Sequence, residues 1–220
     1  MRSYGQYCGV ARALDAVGDR WNLLIVRELL LRGPCRYTDL QHGLPGIATN
    51  LLAERLRDLE AVGVVSRQAA PPPVATTLFE LTESGRELEP VLRALGRWGS
   101  RFMGESPEGD AFRVHWLAFP VAEYWVDNDP EAGPLSIAVH TGEEAAVIEA
   151  SGGQLDVRLG PAQSPDLVLS GDPQTILGLL VGRLSPAEAR RRGLRSHGDI
   201  GLLRRFRPEH RPPASVRLAP

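Results

Sequence analysis

Four consecutive residues, Gly43-Leu44-Pro45-Gly46, constrain the first half of this chain more than any others. Two glycines and a proline at that density cannot continue a helix, so the backbone must turn there. Amphipathic helical patterns flank the turn. Upstream, Arg36–His42 places Tyr37 and Leu40 on one face; downstream, Ala48–Val62 spaces Leu52, Leu56 and Leu59 as one apolar stripe. A short helix, a glycine-containing turn and a longer helix make a helix-turn-helix. Thr49, Asn50, Ala53, Arg55 and Arg57 lie away from the leucine stripe. That division suits a recognition helix, where Asn can bridge adenine and Arg can bridge guanine or hold a phosphate. An ordinary amphipathic surface helix would show the same stripe, so the neighbouring segments carry the distinction.

Those segments complete a winged domain. Gly63–Arg67 is a short β pattern, Gln68–Ala75 a hinge stiffened by Pro71, Pro72 and Pro73, and Thr76–Leu81 an alternating β-branched and aromatic run. Together they predict a two-stranded wing, with Arg67 placed to meet a phosphate or the minor groove. Ahead of the turn, Gly9–Val17 puts Val10, Ala13, Leu14 and Val17 on one stripe, and Arg20–Leu31 is apolar around most of its circumference, as a central helix must be. Gly33-Pro34 stops that helix. After the wing, Thr82 opens a long helix whose stripe is Leu88, Val91, Leu92, Leu95, Trp98 and Phe102. So much apolar surface needs a partner, and a second copy of the chain is the economical one.

Bulk properties agree with two soluble domains. The 220 residues are 43% hydrophobic and 24% charged, and no run of about 18 uncharged apolar residues exists to span a membrane. Met1–Gln6 leads straight into a charged amphipathic segment with no secretory pattern, so the expected location is cytoplasmic. Cys8 and Cys35 are too few for a disulfide framework and lack the partners of a zinc site, so no metal or other cofactor is expected. The net charge of −2 conceals 13 Arg against 11 acids in residues 1–103 and 12 Arg against 16 acids in residues 104–220. A mildly basic half suits phosphate contact, although DNA binders need a basic face and not a basic total.

Residues 104–111, polar and rich in Pro and Gly, are the expected linker between a domain at 1–103 and one at 112–206, with 207–220 a tail. The second domain opens on Phe112, Trp116, Phe119, Tyr124 and Trp125. Strands are predicted at Leu135–His140, Ala145–Glu149, Leu155–Leu159 and Leu167–Leu169, and helices at Pro173–Val181, Pro186–Arg192 and Asp199–Phe206. The whole chain is therefore α+β: a winged helix-turn-helix followed by a small sheet packed with helices. No nucleophile elbow, phosphate-cradling glycine loop or HExxH motif argues for an enzyme. His42, His115, His140, His197 and His210 are scattered, and Asp166 and Asp172 read as turn and cap residues. A protein-binding winged module is the remaining rival, which the arginines around the predicted recognition helix oppose.

Several motifs in order resemble a known family. Cys8-Gly9-Val10-Ala11-Arg12-Ala13-Leu14-Asp15-Ala16-Val17-Gly18-Asp19-Arg20-Trp21, Leu23-Leu24-Ile25, Pro45-Gly46-Ile47-Ala48, Glu54-Arg55-Leu56-Arg57-Asp58-Leu59-Glu60, Leu81-Thr82-Glu83-Ser84-Gly85 and Leu95-Gly96-Arg97-Trp98-Gly99 closely resemble the HxlR-type winged-helix regulators. The resemblance covers about residues 5–103. It implies a homodimer built on the first and last helices, reading successive major grooves of a pseudo-palindromic duplex. By position it makes Thr49, Asn50, Ala53, Arg55 and Arg57 recognition-helix candidates, Arg36 and Thr38 supporting-helix candidates, and Arg67 the wing candidate. Cys8 stands where some members keep a redox-sensing cysteine, with Arg12 the nearest positive neighbour; packing at a dimer seam is the plainer role. Asp166–Pro173, Leu177–Leu180 and Gly182–Ala189 resemble the end of a sterol-carrier-protein-like domain, which implies an apolar tunnel. Trp116, Phe119, Tyr124 and Trp125 would then line a pocket for an apolar effector, or else fill the core. The function expected from all this is a transcription regulator, more readily a repressor, modulated by a lipophilic ligand. Redox sensing through Cys8 and a second domain that only aids dimerisation are the alternatives.

Overall fold

The structure is a computed structural model that describes residues 3–70, 76–103 and 110–208. It divides into two compact units, Met1–Ala94 and Leu95–Pro220. The prolines at 71–73, most of the expected linker and the tail beyond 208 lie outside the described residues.

In the first unit, α1 (Gly9–Val17), α2 (Asn22–Arg32), α3 (Tyr37–Gly43) and α4 (Thr49–Ala61) form a small bundle. Strands β1 (Cys35–Arg36), β2 (Val65–Ala69) and β3 (Thr77–Leu81) make an antiparallel sheet of order β1-β3-β2. The expected two-stranded wing thus has a third strand, with Cys35 opposite Phe79. Two residues are too few to show a period of two, which is why the pattern absorbed Arg36 into the next helix. Ile25, Val26, Leu29, Leu40, Leu52, Leu56 and Leu59 form the core.

A carboxylate lies buried within this unit. Glu28 has no exposed surface and accepts from Arg27 Nη2 at 2.9 Å and Arg32 Nε at 3.1 Å. It also explains Gly43 at the end of α3: a Cβ there would stand 2.1 Å from Glu28 Oε2. Glycine is required by close approach, so α3 can lie directly against the carboxylate.

Two expectations about the outer helices need correction. The long helix from Thr82 is two helices, α5 (Glu83–Arg86) and α6 (Glu89–Gly99). Pro90 has no N–H to offer the Arg86 carbonyl and sits instead in the first turn of a new helix, where that loss costs nothing. Thr82 does cap α5, accepting from Gly85 N at 3.0 Å. On α1 only Val17 of the predicted stripe is buried; Val10 is 70% and Leu14 45% exposed. On α6, Val91, Leu95 and Trp98 are likewise exposed, and Leu92 alone is buried.

The second unit contains α7 (Ala118–Tyr124), β4 (Trp125–Asp127), β5 (Leu135–Thr141), β6 (Glu144–Ser151), β7 (Gln154–Leu159), β8 (Leu167–Ser170), α8 (Pro173–Leu180), α9 (Pro186–Arg191), β9 (Arg195–Gly198) and β10 (Phe206–Pro208). Its five-stranded sheet has the order β7-β6-β5-β8-β9: β5, β6 and β7 are an antiparallel meander, β8 runs parallel to β5, and β9 antiparallel to β8. Ile137, Val139, Ile148, Leu167, Leu169 and Ile176 fill its core. The helix expected over Asp199–Phe206 is a 3₁₀ segment, Ile200–Arg205, leading into β10. Phe206 pairs with Asp127 across the β4–β10 ribbon. Arg205 clamps that ribbon: Nε and Nη2 reach the two Asp127 carboxylate oxygens at 2.7 and 2.8 Å, and Nη1 reaches the Gly133 carbonyl at 2.7 Å. The Arg205 hydrogen bonds hold the Asp127 carboxyl below the usual carboxylate range.

Gly43→Ala should therefore overpack the first unit and cost about 1–3 kcal/mol. Glu28→Ala, which removes the buried carboxylate shared by two arginines, should cost about 3–5 kcal/mol. Urea denaturation followed by circular dichroism measures both.

Candidate nucleic-acid interface

The angle between the two helices of the helix-turn-helix is fixed at the first residue of α4. The Tyr37 hydroxyl donates to the Thr49 carbonyl at 2.5 Å, and the Gln41 amide donates to Thr49 Oγ1 at 2.8 Å. Leu52, Leu56 and Leu59 then bury one side of α4. With that side committed, Thr49, Asn50 and Arg57 are exposed and Ala53 half-buried. Arg57 makes no ion pair or side-chain hydrogen bond among the described residues, so its five donors are available to an acceptor.

Arg55 behaves differently from its sequence neighbours. Its side chain is only 12% exposed and is ion-paired with Asp19 and Glu54, and with Asp58 at 3.2 Å. It fastens the loop before α2 to α4 and is not presented on the open face with Asn50 and Arg57. The Asp58 pairing at i+3 is visible in the sequence, whereas Asp19 comes from 36 residues away.

The remaining candidates gather beside the wing. Arg36, Thr38 and Arg67 line one open hollow of about 510 Å³ together with Tyr37, Thr76, Thr77 and Phe79. Thr76 and Thr77 were not among the sequence candidates; the signal that could have found Thr77 is the two-residue period of β3, which puts it on the face of Phe79. Arg67, 56% exposed, also holds a 2.5 Å ion pair through Nε with Glu60 of α4. Two cations and several hydroxyls around an open concavity are the donor set a phosphate diester takes.

The aromatic residues of the second unit divide. Tyr124 and Trp125 are buried: Trp125 stacks on Phe206 at 4.6 Å and donates Nε1 to the Leu180 carbonyl at 2.6 Å, and the Tyr124 hydroxyl lies 3.4 Å from Ser100 Oγ. These two are core residues with occupied polar tips. Trp116 and Phe119 are half-buried, Trp116 packing edge-on against Phe112 and His115 with centroids 6.0 Å apart in both cases.

The two thiols also differ. Cys8 is exposed immediately before α1, and the backbone N–H groups of Ala11 and Val10 hold its thiol below the ordinary value. Arg12, the expected positive neighbour, instead bonds Ser3 Oγ at 3.3 Å and Asp15 at 3.4 Å. Burial pushes the Cys35 thiol up to about 12. Among the described residues no group of three or more His, Cys, Asp or Glu could hold a metal ion, and no helix is long and apolar enough to cross a membrane.

Known proteins match this first unit. The family model for HxlR-like helix-turn-helix proteins matches residues 16–107. The HTH-type transcriptional regulator sll1512 of Synechocystis sp. is 35% identical over 99 residues, 45% of this chain and 73% of that protein. The chain belongs to the HxlR-like helix-turn-helix family. Another relative of this HxlR-like chain, the HTH-type transcriptional regulator YodB of Bacillus subtilis, is 36% identical over 90 residues, 41% of this chain and 80% of its own. The HTH-type transcriptional regulator Rv3095 of Mycobacterium tuberculosis is 35% identical over 135 residues, 61% of this chain and 78% of its own. That alignment is longer than the whole first unit, so it runs into the second. In an HxlR-like chain with these thiols, a disulfide-exchange reagent at neutral pH should titrate Cys8 rapidly in the native protein and Cys35 only after unfolding.

Proposed function

We propose that this protein is a DNA-binding transcription regulator that reads duplex DNA with α4 and braces against the backbone with the hollow beside the wing. The observation that carries the reading is the pairing of exposed Asn50 with the uncompensated Arg57 on a helix whose other side is locked by Leu52, Leu56 and Leu59. Asn50 and Arg57 are the base readers, with Thr49 and Ala53 packed close to the groove floor. Arg36, Thr38 and Arg67 take phosphates. Arg55 is a positioning residue, setting α4 through Asp19.

The regulator acts as a homodimer. Val10 and Leu14 on α1, and Val91, Leu95 and Trp98 on α6, are large apolar side chains exposed on helices whose opposite sides are packed, and exposed apolar faces of that kind mark interfaces. Two-fold symmetry makes the binding site a pseudo-palindrome. The second unit, which resembles sterol-carrier-protein-like domains, is the effector unit: an apolar small molecule there, meeting the half-buried Trp116 and Phe119, biases the protein between DNA-competent and incompetent states by its differential affinity for them. Repression by promoter blockage is the favoured outcome of DNA binding.

A second reading has its own observation. The exposed Cys8 thiol, its pKa lowered by the N–H groups at the start of α1, ionises more readily to the thiolate that oxidants attack, which makes Cys8 a redox switch on the same DNA affinity. Cys8→Ser separates the two, since it abolishes an oxidant response and leaves an effector response intact.

The test is a fluorescence-anisotropy titration on an operator recovered by selection from random duplexes. Asn50→Ala and Arg57→Ala should each weaken operator binding by about 1–3 kcal/mol with little change in melting temperature. Arg55→Ala should lower the melting temperature. Equal affinity of both readers' variants and the parent protein would put the wrong helix in the groove.

A further inference from the structure

The charge on the face just described is unevenly compensated, and the compensation comes from α4 itself. Arg57 has no carboxylate partner among the described residues, but Arg67 is joined through Nε to Glu60 at 2.5 Å. Arg67 is 56% exposed and lines the hollow, whereas Glu60 is 18% exposed and is not among the residues lining it. The carboxylate therefore holds the guanidinium from the α4 side. A guanidinium bound at Nε keeps both terminal amino groups as donors, and Arg67 has no other partner among the described residues.

Two ranges of interaction separate at such a pair. Its formal charge is zero, so it adds little to the long-range attraction that draws any duplex to a protein, and it releases little counterion when DNA merely approaches. At hydrogen-bond distance the terminal amines still donate strongly, because a short charge-assisted bond depends on local geometry more than on net charge. We propose that Glu60 is a specificity-determining residue: it mutes Arg67 toward DNA at a distance while leaving it a donor to a phosphate seated in the hollow with Arg36 and Thr38. The wing then contributes where the backbone fits the hollow and contributes little elsewhere. This inference rests on the DNA-binding reading above.

Glu60→Gln tests it, in the full chain, with Arg67→Gln and the double variant as companions and melting temperatures as the check on folding. Each protein is titrated against a random-sequence duplex and the selected operator at 50 and 200 mM salt. Restoring one unit of charge should steepen the dependence of log K on log salt by about 0.9 for the random duplex. The Glu60→Gln variant is then tighter at 50 mM, and its advantage shrinks by about 3.5-fold at 200 mM. The preference for operator over random duplex should fall. In the Arg67→Gln background Glu60→Gln should change neither slope nor preference. An unchanged slope in Glu60→Gln overturns the inference, as does an equal effect in the Arg67→Gln background, which would make Glu60 an ordinary surface charge. If the parent protein binds neither duplex at 50 mM, the DNA-binding reading itself falls.

Discussion

The carboxylate of Glu28 has no exposed surface, so its charge must be answered inside the protein, and the answer shapes the first unit. Arg27 and Arg32, flanking it on α2, bring their guanidinium groups to its two oxygens. Its Oε2 lies where a side chain on Gly43 would begin. The end of α3, and with it the turn into α4, is therefore placed against an ion pair and not against a compressible apolar contact. An apolar core tolerates small slides between helices; a buried carboxylate hydrogen-bonded to two cations does not. The position of α4 in turn decides which side chains stand on the open face.

A second fastening works on α4 from the other direction. Arg55 draws together Asp19, Glu54 and Asp58, and Thr49 receives two hydrogen bonds from α3. The first turn of the helix is thus held by Tyr37 and Gln41, its middle by Arg55 and its buried side by leucines. These are different kinds of restraint, and the side chains they leave untouched, Asn50 and Arg57, are exposed on the open side of the helix. A rigid support of this sort is what keeps a reading geometry within a fraction of an ångström.

How far the sequence foretold this depends on the range of the interaction. The helix-turn-helix was legible because a 3.6-residue stripe and a Gly-Pro turn are local signals. The strand at Cys35–Arg36 was not, because two residues carry no periodicity and their partner at Phe79 is 44 positions away. Pro90 was a local signal for the break between α5 and α6, but a continuous apolar stripe masked it. In the second unit β5 and β6, with buried side chains, and the edge strand β7, with its alternating Leu155, Val157 and Leu159, were read correctly, whereas Arg195–Gly198 is an edge strand of Arg, Ser, His and Gly with no apolar alternation to read. The candidate recognition residues divided in the same way. Exposure of Asn50 and Arg57 followed from the stripe, but the fate of Arg55 was settled by Asp19, and the hollow shared by Arg36, Thr38 and Arg67 exists only once the wing has folded against α3.

The ribbon of β4 and β10 has a topological effect on the second unit. Arg205 and Asp127 are joined across 78 residues of chain, and everything between them, the five-stranded sheet with α8 and α9, leaves from and returns to the same two short strands. The unit is consequently a loop closed by a clasp. Insertions or deletions in its interior can change the size of the sheet or the depth of its packing without disturbing the place where the chain enters and leaves. The contents of this unit can be remodelled while the clasp stays unchanged, so new chemistry is free to accumulate inside a fastened boundary.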